Sequence, residues 1–146
     1  MASTLQFCTF YLDQLLFGVE IQGVQEVIRH LPMTNVPLAP NVVSGLLNLR
    51  GQIVTAVDLR RCLALPARAA GQLPMNVVVR TADGPVSLQV DDIGDVLEVS
   101  EDSYEPAPQN MSKQHREMVH GVYKLDGRLL LVLNTERSLA TGLEVA

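Results

Sequence analysis

The chain has 146 residues, a mass of 15.9 kDa and a formal net charge of −5, the size of one globular domain or of two very small halves, which excludes a large multidomain enzyme. Leu, Val, Ile and Phe make up about a third of the residues, far above the disordered regime, and with 4% aromatic residues and no Trp the core must be aliphatic. The charge is spread without a long single-sign run, which argues against nucleic acid and against an anionic membrane surface.

In chain order, residues 5–12 and 15–21 read as a hairpin around Asp13-Gln14. Val24, Val27 and Ile28, at i, i+3 and i+4, predict one or two helical turns before Pro32, which cannot continue a helix. Pro37-Leu38-Ala39-Pro40 is a rigid connector. A second pair of apolar runs flanks Leu49-Arg50-Gly51 and leads into a helical turn, with Asp58 as its N-cap and Leu59, Cys62 and Leu63 on one face. Residues 65–74, with three Ala, Gly71 and two Pro, are the expected loop between halves, so the chain is expected to form a single domain over 5–139 with subdomains near 5–66 and 74–139, strands being exchangeable between them.

The second half opens with residues 76–81 and 86–90 around Ala82-Asp83-Gly84-Pro85, another hairpin signal. Leu125-Asp126-Gly127-Arg128 is stronger, because Asp-Gly accepts the positive φ that a type I′ turn demands. Residues 134–139 repeat the helical turn, and 140–146 are expected to fray. Short strands at this spacing argue for barrels. No apolar stretch nears the ~20 residues that span a bilayer, and no basic segment precedes an apolar one at the N-terminus, so a cytoplasmic location is expected. Cys8 and Cys62, in separate apolar segments, read as two buried thiols.

An internal repeat ties these elements together. A shift of 69 lays Phe17-Gly18-Val19-Glu20-Ile21 on Val86-Ser87-Leu88-Gln89-Val90, and Val24-Gln25-Glu26-Val27-Ile28 on Ile93-Gly94-Asp95-Val96-Leu97. A shift of 76 then lays Gly45, Leu49, Gly51, Ile53, Val54 and Val57 on Gly121, Leu125, Gly127, Leu129, Leu130 and Leu133. The additional residues of the second copy fall in the polar stretch 109–117.

Candidate chemistry is sparse. His115 and His120 have zinc-ligand spacing but no companion ligands, and read as surface histidines. Asp91, Asp92 and Asp95 read as a solvated edge, with Val90, Ile93 and Val96 inward. Ser44 lies in no Gly-x-Ser-x-Gly elbow, and neither a Gly-x-Gly-x-x-Gly nor a Walker loop occurs. No catalytic residue, metal or cofactor is therefore expected. Arg50 is different: it takes the repeat position of Asp126, where a tight turn wants positive φ and Arg is a poor choice. A local rule broken in one copy and obeyed in the other points to function. Glu26 meets Asp95 in the repeat, so an acid there serves either the fold or the surface.

Val24-Gln25-Glu26-Val27, Pro37 to Pro40, Gly45-Leu46-Leu47-Asn48-Leu49-Arg50-Gly51-Gln52-Ile53-Val54, Val57-Asp58-Leu59, Val90-Asp91 with Asp95-Val96-Leu97, and the run from Gly121 to Leu133 resemble the CheW family of chemotaxis coupling proteins. The resemblance implies a mainly β fold of two five-stranded β-barrels side by side, with short helices. It implies a non-enzymatic adaptor that links the cytoplasmic tips of methyl-accepting chemoreceptors to the regulatory domain of a CheA-type histidine kinase, and reaches the membrane only through receptor arrays. Related adaptors of twitching motility or surface sensing share the pattern; a small β-barrel ligand-binding module or enzyme is the remaining alternative. By position, Val24, Glu26, Gly45 and Arg50 are implied as receptor-side residues, with Ile93 and Val96 lining the inter-barrel groove, while the kinase-facing residues are not assigned. Ser87 departs from the glycine common in relatives, a glycine that this chain keeps at Gly18.

Overall fold

The computed structural model describes residues 3–134 apart from Asp83, and gives Gln114 and His115 by backbone only. The expected helical turn over 134–139 and the tail 140–146 lie outside the described residues, apart from Asn134. Eleven strands appear in this span: β1 (Thr4–Leu12), β2 (Leu15–Glu20), β3 (Val24–Ile28), β4 (Val43–Leu49), β5 (Gln52–Asp58), β6 (Met75–Thr81), β7 (Gly84–Val90), β8 (Asp92–Ser100), β9 (Tyr104–Glu105), β10 (Val119–Leu125) and β11 (Arg128–Leu133). Among the described residues the α-helices are short: α1 (Leu59–Cys62) follows β5 and α2 (Lys113–Met118) lies within the insertion.

The strands form two sheets, ordered β8-β1-β2-β11-β10-β9 and β3-β6-β7-β5-β4. Under the two repeat shifts β1, β2, β3, β4 and β5 become β6, β7, β8, β10 and β11, and the second order becomes the first, with β9 added. Neither sheet is a consecutive half: the hairpin β1–β2 joins β8, β10 and β11, and the hairpin β6–β7 joins β3, β4 and β5. Strands are thus exchanged across the 5–66 and 74–139 boundaries. The parallel pairs β11–β2 and β5–β7 are the joints.

Continuous apolar runs such as Leu130 to Leu133 follow from burial on both faces. Phe7, Leu16, Tyr123, Leu130 and Val132 fill one small core, and Leu47, Leu49, Val54, Ala56 and Val78 fill another. The alternate residues Phe10, Phe17, Leu131, Val57, Val77 and Leu88 form a third cluster drawn from both sheets. Strands β1, β2, β5, β6, β10 and β11 therefore split their side chains between a core within their own sheet and the core shared by the two. Val24 and Ile93, repeat equivalents on β3 and β8, pack against the shared cluster.

The helical turn expected at Val24–Ile28 is a strand instead. A bulge explains the misleading period: Val24 pairs with Val79 but Glu26 with Val78, so β3 carries one additional residue. That insertion turns a two-residue alternation into spacings of three and four. The same bulge recurs on β8, where Val96 faces Cys8 and Ile93 faces Phe10. On β4 and β10 the bulges leave Ser44 and His120 unpaired, just before Gly45 and Gly121.

Candidate functional site

The β4–β5 hairpin is closed by Arg50-Gly51, since Leu49 pairs with Gln52. Both loop residues take positive φ, 54° at Arg50 and 86° at Gly51, as a type I′ turn requires. Asn48 steadies the turn by accepting a hydrogen bond from the Gly51 N–H at 2.9 Å. In the Asp126-Gly127 turn only Gly127 takes positive φ, at 79°. The type I′ signature expected there thus stands at Arg50-Gly51, where the residue is least suited to it. An arginine held in the left-handed region costs roughly 1–2 kcal/mol relative to ordinary backbone.

The Arg50 side chain is 78% exposed, and its Nη1 donates to Glu26 Oε2 at 2.7 Å. Glu26 lies on β3, at the opposite end of the five-strand order from β4, so the ion pair spans the two ends of the sheet. A backbone bridge between Thr34 and Leu46 joins the same two ends, and Ile28, Leu31 and Met33 pack onto the small core beneath. The sheet is therefore curled until its edges meet. Gly45 belongs to this closure, because a Cβ there would stand 2.7 Å from the Thr34 carbonyl oxygen.

The six residues implied as receptor-side do not form one patch of equivalent side chains. Glu26 and Arg50 touch; Val24 and Ile93 flank the shared core; Gly45 is buried at the Thr34 crossing. Val96 is 53% exposed, so the expectation that it joins Val90 and Ile93 inside is corrected. The β8 bulge keeps Val96 opposite Cys8 and Ile93 opposite Phe10, but Val96 lies beyond the packed part of the shared core.

The family model for the CheW-like domain matches residues 6–142. The chain belongs to the CheW-like family. A chemotaxis protein CheW of Rhizobium meliloti is 31% identical over 131 residues, covering 90% of this chain and 84% of that protein. One from Treponema pallidum is 28% identical over 136 residues, covering 90% and 80%. The crystal structure of the scaffolding protein TtCheW from Thermoanaerobacter tengcongensis superposes with a TM-score of 0.81 at 26% identity, covering 90% of each chain. With the CheW-like family comes a scaffolding role in chemotaxis rather than catalysis.

The thiols of this CheW-like chain suit that role. Burial raises the Cys8 thiol, and burial together with the Asp58 charge pushes Cys62 up to about 12, so neither is a nucleophile near neutral pH. Among the described residues no His, Cys, Asp or Glu cluster could hold a metal, and no helix is long and apolar enough to cross a membrane. His120 is exposed on β10; the His115 side chain lies outside the described residues.

One charged site was missed by the sequence reading. Asp91 is no solvated edge residue: its side chain is 8% exposed, in the corner between β7 and β8. Arg60 of α1 grips both its oxygens and also donates to the Pro66 carbonyl at 2.7 Å. Arg68 Nε stands 2.9 Å from Asp91 Oδ1, its Nη1 reaches Asp58 at 3.1 Å, and the Asp13 N–H donates to Asp91 at 2.7 Å. Burial raises the Asp91 carboxyl, but the Arg60 hydrogen bond, the Asp13 N–H and the two arginine charges outweigh it and hold the group below the usual carboxylate range. Asp92 and Asp95 are exposed, as expected. The cluster fastens the β1–β2 turn, the end of β5 and the 65–74 linker at one corner.

Proposed function

We propose that the chain couples the cytoplasmic tips of chemoreceptors to a CheA-type histidine kinase, and that receptor arrays recruit it to the inner face of the membrane. The single observation that carries this reading is Arg50: a strained, exposed arginine at a barrel rim, oriented by Glu26. Strain at one surface residue, with no burial to offset it, suits a residue kept for a partner. Receptor tips are helical hairpins; Arg50 offers such a helix a charge-assisted anchor, and partly buried Val24 and Ile93 offer it apolar surface. Gly45 contributes by letting the rim close, and exposed Val96 offers an apolar side chain further along β8.

Reconstitution of the purified protein with receptor membranes and a CheA-type kinase tests the proposal. Kinase autophosphorylation is expected to rise only when receptor, kinase and this chain are all present, with no nucleotide hydrolysis by the chain alone. Autophosphorylation indifferent to the chain would refute the coupling role.

A further inference from the structure

We infer that Arg80 is a positioning residue for the Glu26–Arg50 pair, because it locks the β3 bulge in the register that turns Glu26 towards Arg50. This rests on the reading of Arg50 as the receptor anchor. Arg80 Nη1 donates to two backbone carbonyls, Gln22 at 2.9 Å and Val24 at 3.0 Å. Both lie on the N-terminal side of the bulge, Gln22 within the one-turn 3-10 segment Ile21–Gly23 and Val24 next to the unpaired Gln25.

A bulge leaves one residue out of the ladder, so the ladder alone sets its position weakly, and a slip by one residue sends the next side chain to the other face. Glu26 is that next side chain. Tied carbonyls at Gln22 and Val24 place the additional residue at Gln25 and leave Glu26 paired with Val78, in reach of Arg50.

The repeat gives a second, independent indication. On β8 the corresponding bulge is tied by a side chain from its neighbouring strand β1: the Thr9 hydroxyl donates to the Asp95 carbonyl. Asp95 is the repeat counterpart of Glu26. The counterpart of Thr9 on β6 is Val78, which has no donor, and Arg80, two residues further on the same strand, supplies one. Both bulges are thus tied by a donor from the neighbouring strand, with unrelated chemistry in the two copies. Arg80 is exposed, so its removal opens no core.

The test uses the full chain as wild type, Arg80→Met, which keeps the aliphatic stem but loses the donors, Arg80→Lys, and each of these combined with Glu26→Gln. Two readouts are taken: titration with a receptor signalling-tip fragment, and NMR signals of the Gln25 to Val27 amides and the Arg50 Nε–H. Arg80→Met is expected to weaken receptor binding about three- to tenfold, with Arg80→Lys between it and wild type. In the Glu26→Gln background the same change should cost almost nothing further. The β3 amides and the Arg50 signal should shift in Arg80→Met.

Unmoved amide and Arg50 signals, or a loss that adds in full to that of Glu26→Gln, would overturn the inference. If Glu26→Gln and Arg50→Asn both bind receptor as wild type, the receptor reading falls, and the NMR signals alone decide whether Arg80 sets the bulge.

Discussion

Ser87 and Asn76 show how two departures from a repeat can answer each other. At Gly18 a Cβ would stand 3.0 Å from Leu130 Cδ1 and 3.2 Å from Phe7 Cβ, so a side chain there would have to push both neighbours aside. Under the shift of 69, Gly18 becomes Ser87 and Phe7 becomes Asn76. The smaller amide leaves room for the hydroxyl, which donates to Asn76 Oδ1 at 2.8 Å while Asn76 Nδ2 reaches the Arg29 carbonyl at 3.3 Å. Ser87→Ala removes that donor from a buried oxygen and should cost about 1–3 kcal/mol, read as a lower urea midpoint; an unchanged midpoint would show the pair to be idle. The serine was legible in the sequence as a departure, but its compensation was not, because it depends on which residues face each other inside a sheet.

At the scale of elements, the hairpins and the Asp58 cap were legible, since turn residues and capping oxygens act locally; Asp58 accepts from the Arg60 N–H at 3.0 Å. The β3 bulge was not, because an additional residue imitates helical spacing. The repeat equivalents Ile93, Val96 and Leu97 show the same spacing for the same reason, since they lie on the bulged strand β8. Asp91 was misread for another reason. It sits in a corner, where alternation has no meaning, and its arginine partners arrive from α1 and the linker.

That corner makes the fold acid-sensitive in a defined direction. The Asp91 carboxyl is held below its unfolded value of about 3.9, so its contribution is fully present above that pH and is lost as pH falls through the lower, folded value. Urea unfolding from pH 7 downward should show wild type losing stability at the acid end. Asp91→Asn should start about 3 kcal/mol less stable at pH 7, since it leaves two arginines short of a buried partner, and should lose less on acidification. Parallel acid limbs in the two proteins would place the acid sensitivity elsewhere.

Over the whole molecule, the duplication fixes one architecture twice and the strand exchange welds the copies. We propose that the chain unfolds as one unit. Fragments 1–66 and 74–146 should each be unfolded alone, because each lacks partner strands for both sheets, and mixing them should restore β-type circular dichroism; a fragment that melts cooperatively by itself would argue for independent halves. The welded body suits a scaffold, which must hold its partner faces in fixed relation. The central claim is that Arg50 is kept, at a cost in backbone strain, for the receptor. It is tested most directly by titrating a receptor signalling-tip fragment against wild type and Arg50→Asn, with melting curves for both. Asn accepts positive φ more readily, and an exposed ion pair adds little stability, so the variant should melt at or above wild type while binding receptor about ten- to a hundredfold more weakly, as the loss of a charge-assisted contact predicts. Undiminished receptor affinity, or a variant that melts well below wild type, would contradict the account and leave Arg50 a structural residue.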